Sequence, residues 1–236
     1  MTVQISYKNT KTKNNTNNIV LFVDENFNIS SLKKHILGSD YAYIADLIKK
    51  RDDKKKIISY DISSKKRIIL VSLKKNITNS DVENLGASFY DKFKNNKINE
   101  FNLNSDTLST QQKNIIGSFA HGIKLKSYKF DKYKSKKSNK NISIIITGKN
   151  KPSNKDQIKF RAIENGTFYA RDLVSEPGNV LHPDEYAKRL SSLKKYGLKV
   201  NIYDEKKLKK LGMHALLGVG QGSVRGSYLV TMEWNG

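Results

Sequence analysis

Residues 168–183 read FYARDLVSEPGNVLHP, and this stretch decides how the chain is divided. Upstream of it, Ile158, Ala162, Phe168/Tyr169 and Leu173 keep a helical spacing from Asp156 to Val174. Pro177 lacks a backbone donor and disfavours helix at the residue before it, so the helix is expected to end near Ser175. Gly178 and Asn179 are residue types that accept a left-handed turn. Arg171 and Asp172 fall on the last helical turns, where either can clamp an adjoining loop by charged hydrogen bonds. Pro183 then suits the first position of a new helix, with Asp184 and Glu185 in its first turn. A helix end, a turn and a helix start in 16 residues mark a junction between two folded units.

Downstream, the new helix is expected to run to about Lys195 and to stop at Tyr196-Gly197. Leu198–Tyr203 reads as a strand, Asp204 as the cap of a short helix through Leu211, and Tyr228–Trp234 as a second strand. Between them, Gly218-x-Gly220-x-Gly222-Ser223 lacks both the Lys-Ser/Thr of a phosphate loop and the spacing of a dinucleotide fingerprint. It is expected to be a turn between two elements.

Upstream, residues 1–150 alternate strand and helix patterns, as a layered α/β domain with a mostly buried mixed sheet would. Val3–Tyr7 and Ile19–Val23 are β-like runs, and the polar spacer Lys8–Asn18 has the composition of a hairpin loop. Leu32–Ile48 has mixed periodicity with a break at Gly38-Ser39-Asp40. Lys56–Asp61 and Arg67–Leu73 read as a strand pair joined at Ser63-Ser64. The continuous branched run of the second suits a strand covered on both faces. Thr78–Phe93 is an amphipathic helix with Thr78 or Ser80 as cap and Val82, Leu85, Phe89 and Phe93 on one face. A strand over Lys97–Leu103, a helix over Ser109–Ile123 and a buried strand over Asn141–Thr147 complete the unit. Asp131–Lys140 is an exposed Lys/Ser/Asn loop. The expected division is therefore 1–152 for the N-terminal α/β domain, 153–176 for a connector helix, and 177–236 for the start of a second α/β domain.

Composition narrows the function classes. The 44 Lys+Arg against 22 Asp+Glu give a net charge of +22, carried mostly by lysines spread along the whole chain. That excess can attract nucleic acid or acidic partners, but the scarcity of Arg disfavours bidentate readout of phosphates and bases. With no Cys there is no disulfide, thiolate nucleophile or thiolate metal ligand. The N-terminus carries no apolar signal segment and no run approaches a membrane span, so the chain is expected to be cytoplasmic.

No chemical site assembles from the side chains. The four histidines, His35, His121, His182 and His214, include no pair at i, i+4. His121 is expected to face the C-terminal dipole of its helix. Asp52-Asp53, flanked by Arg51 and Lys54–Lys56, reads as a solvated turn. Glu164, Asp172 and Glu176 are spread over a helix end and do not form a metal cluster. Tyr128 and Tyr133 among lysines have the composition of a single-strand nucleic-acid platform, although a mobile loop fits it better. Catalytic, cofactor-binding and metal-binding residues are all expected to be absent from the 236 residues.

The stretch from Ala170 to Pro183 resembles the interdomain signature A-R-D-L-V-N-E-P-x-N-x-x-x-P of leucyl aminopeptidases. Ala170, Arg171, Asp172, Leu173, Val174, Glu176, Pro177, Asn179 and Pro183 match, and Ser175 stands in place of the usual Asn. A second match follows in Leu211-Gly212-Met213, Leu216-Leu217, Val219-Gly220 and Gly222-Ser223, with His214 where the family has Gly. The resemblance implies a hydrolase that releases N-terminal amino acids from peptides, using two divalent ions (manganese or zinc), and a hexameric assembly. The family's metal-binding motifs V-G-K-G-x-x-F-D-x-G-G, M-K-x-D-M and N-T-D-A-E-G-R do not occur in these 236 residues. The chain is therefore expected to be an inactive fragment by itself. The alternative expectation is a non-catalytic binding protein that holds DNA through its basic surface.

Overall fold

The computed structural model describes residues 3–8, 18–52, 54–95, 99–108, 114–136 and 141–235. Two compact units divide between Tyr169 and Ala170.

The first unit is built on a six-stranded sheet of order β1-β6-β5-β2-β4-β3. Its strands are β1 (Val3–Tyr7), β2 (Asn18–Asp24), β3 (Ile57–Asp61), β4 (Arg67–Leu73), β5 (Glu100–Asn104) and β6 (Ile142–Thr147). All are parallel except β3, which runs antiparallel to β4. The β3–β4 hairpin closes as expected, with the Lys66 amide donating to the Ser63 carbonyl. β2 and β4 are buried along nearly their whole length, which is why their sequences read as continuous branched runs.

Helices cover both faces. On one, α2 (Asn79–Phe93) and α3 (Ile115–Lys126) enclose Val20, Phe22, Ile69, Phe101 and Ile144. Thr78 caps α2 by accepting the Asp81 amide at 3.1 Å, and Val82, Leu85, Phe89 and Phe93 all face inward. The two helices approach backbone to backbone at two glycines. A Cβ on Gly86 would stand 2.1 Å from the Phe119 carbonyl oxygen, and one on Gly122 would stand 2.0 Å from that of Glu83. On the other face, a 3-10 turn at Ser30–Lys34 and helix α1 (Gly38–Leu47) cover Ile19, Leu21, Ile68 and Leu70. Gly38-Ser39-Asp40, expected as a break, is the first turn of α1.

One expected pairing is overturned. The spacer Lys8–Asn18 does not join a hairpin, because β1 lies at the sheet edge against β6 while β2 lies between β4 and β5. Most of that spacer, with residues 97–98, 109–113 and 137–140 of the expected strand, helix and loop, lies outside the described residues.

Helix α4 (Asn154–Ser175) spans the division between the units. The second unit continues with α5 (Pro183–Ser191), β7 (Lys199–Tyr203), α6 (Glu205–Lys210), α7 (His214–Gly220) and β8 (Leu229–Glu233). Pro183 opens α5, Gly197 ends the following 3-10 turn at φ 93°, and Asp204 caps α6 by accepting the Lys207 amide at 3.0 Å. β7 and β8 pair antiparallel, from Lys199 opposite Glu233 to Tyr203 opposite Leu229. Ala187, Leu190, Val200 and Leu208 are buried, while Val219, Val224, Met232 and Trp234 are exposed.

Candidate functional site

The junction signature folds as a helix end held by side chains. α4 runs to Ser175, and the Glu176 amide donates to the Asp172 carbonyl at 3.0 Å. The turn then closes on the Pro177 carbonyl, which accepts the amides of Val180 and Leu181, each at 2.9 Å. Neither Gly178 nor Asn179 has a positive φ, so the expected left-handed turn is not used. A helical carbonyl does the work instead, because the chain after Pro177 keeps winding for one more turn.

Glu176 is anchored by a side chain of α5. Its carboxylate accepts from an Arg189 guanidinium nitrogen at 3.0 Å, and its side chain is almost wholly buried. Arg189 also donates to Glu185 at 3.0 Å, one helical turn back on α5. This hydrogen bond holds the Glu185 carboxyl below its ordinary range, and the two carboxylates together raise the Arg189 guanidinium. The i, i+4 spacing of Glu185 and Arg189 was readable in the sequence; the Glu176 partner, 13 residues away across a turn, was not. The His182 ring contacts the Asp184 carboxylate, and Arg225 lies 3.8 Å from the same carboxylate. Of these contacts, the one from Arg189 to Glu176 ties α5 to the residue that follows α4.

The glycine-rich stretch departs from its expected role as a turn. Gly218 and Gly220 lie inside α7, and only Gly222-Ser223 follows it. The Ser227 hydroxyl lies beside Gly220, and a Cβ there would require that hydroxyl to rotate aside. The turn before α7 depends on Gly212, at φ 71°.

The histidines do not converge. His121 lies mid-helix in α3, not at its C-terminal end as expected. Its Nδ1 is 3.0 Å from a Glu164 carboxylate oxygen of α4, both side chains are buried, and Phe160 packs beside the ring at 5.3 Å. His35 sits 3.3 Å from the Asn104 amide; burial and then the Lys34 charge push its pKa down, against Asp106. His214 begins α7. Asp52 accepts the Lys54 amide at 3.1 Å and pairs with Lys55, in keeping with a solvated turn, and Asp53 lies outside the described residues. Tyr128 packs at a tilt against Phe168 at 5.3 Å and Tyr133 packs edge-on against Phe130 at 5.8 Å, so each ring has its own aromatic neighbour.

Among the described residues, no three His, Asp or Glu side chains gather as metal donors. No helix among the described residues is long and apolar enough to cross a membrane.

Comparison with known proteins places both units. The N-terminal domain of the cytosol aminopeptidase family matches residues 45–137, and the catalytic domain of the same family matches residues 168–236. A protein of Nitrobacter winogradskyi named "Probable cytosol aminopeptidase" is 33% identical over 233 residues, covering 92% of this chain and 46% of that protein. One of the same name from Agrobacterium fabrum is 46% identical over 125 residues, covering 50% of this chain and 25% of its own length. The chain thus spans less than half the length of the curated relatives it matches. Among solved structures, a mutant tomato leucine aminopeptidase superposes with a TM-score of 0.77 at 22% identity, over 98% of this chain and 50% of that one. The bottromycin maturation enzyme BotP in complex with Mn gives 0.68 at 17% identity, over 93% and 45%. At these identities the likeness concerns the fold.

Proposed function

Given that the chain belongs to the cytosol aminopeptidase family, we propose that it supplies the N-terminal domain and the beginning of the catalytic domain of a metal-dependent leucyl-type aminopeptidase. The observation that carries this reading is the order of the two family matches on one chain, 45–137 and then 168–236. The substrates are peptides with a free N-terminus, and the compartment is the cytoplasm. Two divalent ions, manganese or zinc, would bind the amine and the scissile carbonyl and activate water in the whole enzyme. Their ligands would come from sequence other than these 236 residues, as would part of a hexameric assembly. What these residues do is structural: Arg189 holds Glu176 and Glu185, and so braces the start of the second unit.

The test compares two polypeptides in the presence of manganese or zinc, with a leucyl anilide as substrate. Residues 1–236 alone are expected to release no leucine. A longer polypeptide, in which these residues are followed by the family's metal motifs, is expected to release it and to stop when the metal is chelated. Metal-dependent release by residues 1–236 would overturn the placement of the ligands. Failure of the longer product with either metal would overturn the aminopeptidase reading itself.

A further inference from the structure

β1 is an edge strand, paired on one side only, from Val3 opposite Ile142 to Tyr7 opposite Ile146. The Lys8 amide donates to the Ile146 carbonyl at 2.8 Å. Backbone groups alternate along a strand, so Gln4 and Ser6 turn theirs toward β6, and Val3, Ile5 and Tyr7 turn theirs away. The Lys124 ammonium, hydrogen-bonded to the Val3 carbonyl, agrees with this. Among the described residues no strand lies along that edge.

A cavity of about 490 Å³ lies against β1. One wall is β1 along its full length. The other is α4, through Gln157, Phe160, Arg161, Glu164 and Asn165. Those five positions follow the i, i+3, i+4, i+7, i+8 pattern of a single helix face. A slot with outward-turned main-chain groups of a sheet edge on one side and a helix on the other is the geometry in which an extended segment docks by adding a strand.

Charge selects the occupant. Lys124 and Arg161 both face the slot, while the Glu164 carboxylate is engaged by His121. The chain as a whole carries +22, so a second copy would bring like charge to the edge. Nucleic acid cannot continue a β ladder. We propose that the free edge of β1 and helix α4 form a docking groove for an extended, acidic peptide segment of a partner protein, which binds as a seventh strand.

The test uses the isotope-labelled 236-residue chain and three synthetic peptides: an alternating Glu/Val hexamer, its Lys/Val counterpart, and the Glu/Val peptide N-methylated at alternate amides. The Glu/Val peptide is expected to slow exchange of the Ile5 and Tyr7 amide protons by at least about tenfold, and the other two peptides are expected not to. Ile5→Pro deletes an amide that points away from the sheet, a position where an edge strand tolerates proline. It is expected to weaken the Glu/Val peptide about tenfold or more. Arg161→Glu, at an exposed position, is expected to do the same with unchanged thermal unfolding, and stands in should Ile5→Pro fold poorly. Three results would overturn the proposal: no protection up to about 1 mM peptide, equal protection by the N-methylated or Lys/Val peptide, or edge amides already protected in a concentration-dependent way, which would assign the edge to a second copy.

Discussion

His121 Nδ1 lies 3.0 Å from Glu164 Oε1, and this contact joins α3 to α4 across 43 residues of sequence. Both side chains are buried, so neither can turn to water if the other is lost. Replacing Glu164 by Leu keeps the volume and strands the imidazole. The expected cost is about 1–3 kcal/mol, the usual penalty for a buried polar group left without its partner. Urea unfolding followed by far-UV circular dichroism measures it. His121→Phe with Glu164→Leu, which removes both partners, is expected to recover part of the loss; a double variant no better than the single one would show that the pair contributes only bulk.

The α2–α3 contact makes a sharper steric prediction. Gly122→Ala places a methyl 2.0 Å from the Glu83 carbonyl oxygen, and backbone cannot swing aside as a flexible side chain can. Overpacking of this kind costs about 1–3 kcal/mol. Gly166→Ala, in the interior of α4 where nothing lies within 4 Å, is expected to stabilise by about 0.4–1 kcal/mol through helix propensity and a less flexible unfolded chain. Opposite signs for one chemical change test the packing directly, by thermal or urea denaturation.

The tyrosines give a pH prediction. Burial pushes the Tyr7 phenol up to about 12, the Glu164 charge adds to the effect, and Arg161 opposes it. A group whose pKa is raised by folding contributes stability that is complete below its unfolded pKa and lost as pH rises through the folded one. The window for Tyr7 is therefore from about 10 to about 12. Tyr60 and Tyr90 are also raised by burial. Tyrosine absorbance near the phenolate band should show a late-ionising component that shrinks in Tyr7→Phe, and this variant should lose less stability across the same window.

How much of this was legible in the sequence depended on the distance over which each feature is decided. Val82, Leu85, Phe89 and Phe93 declared the inner face of α2 because helical spacing is local. The run Arg67–Leu73 declared a doubly covered strand because burial on both faces leaves no polar positions. β1 was recognised as a strand but given the wrong neighbour, since its partner Ile142 is fixed by sheet closure 139 residues from Val3 and not by the intervening spacer. His121 went to the wrong partner for the same reason. Gly218 and Gly220 read as a turn because glycine is a common turn residue, yet both fall inside α7 and neither has a positive φ. The helix end at Ser175 and the helix start at Pro183 were legible because both are short-range signals.

Arg189 supplies the last prediction, for the second unit. It donates to Glu176 and Glu185 at 3.0 Å each, and Glu176 is nearly inaccessible to water. Arg189→Met keeps much of the aliphatic contact and removes both hydrogen bonds, at an expected cost of about 1–3 kcal/mol. Arg189→Lys keeps the charge without the planar fork that reaches two carboxylates, so it should recover less than half of the loss. The single tryptophan, Trp234, lies in this unit with its ring beside Gly197, and its fluorescence reports unfolding there. The hydrogen bond from Arg189 lowers the Glu185 pKa, and a carboxylate lowered by folding adds stability above its unfolded pKa that disappears as pH falls through the folded one. The gap between wild type and Arg189→Met should therefore narrow as pH drops below the ordinary glutamate value of about 4.3. A gap that stays constant across that range would mean that Arg189 acts through packing alone.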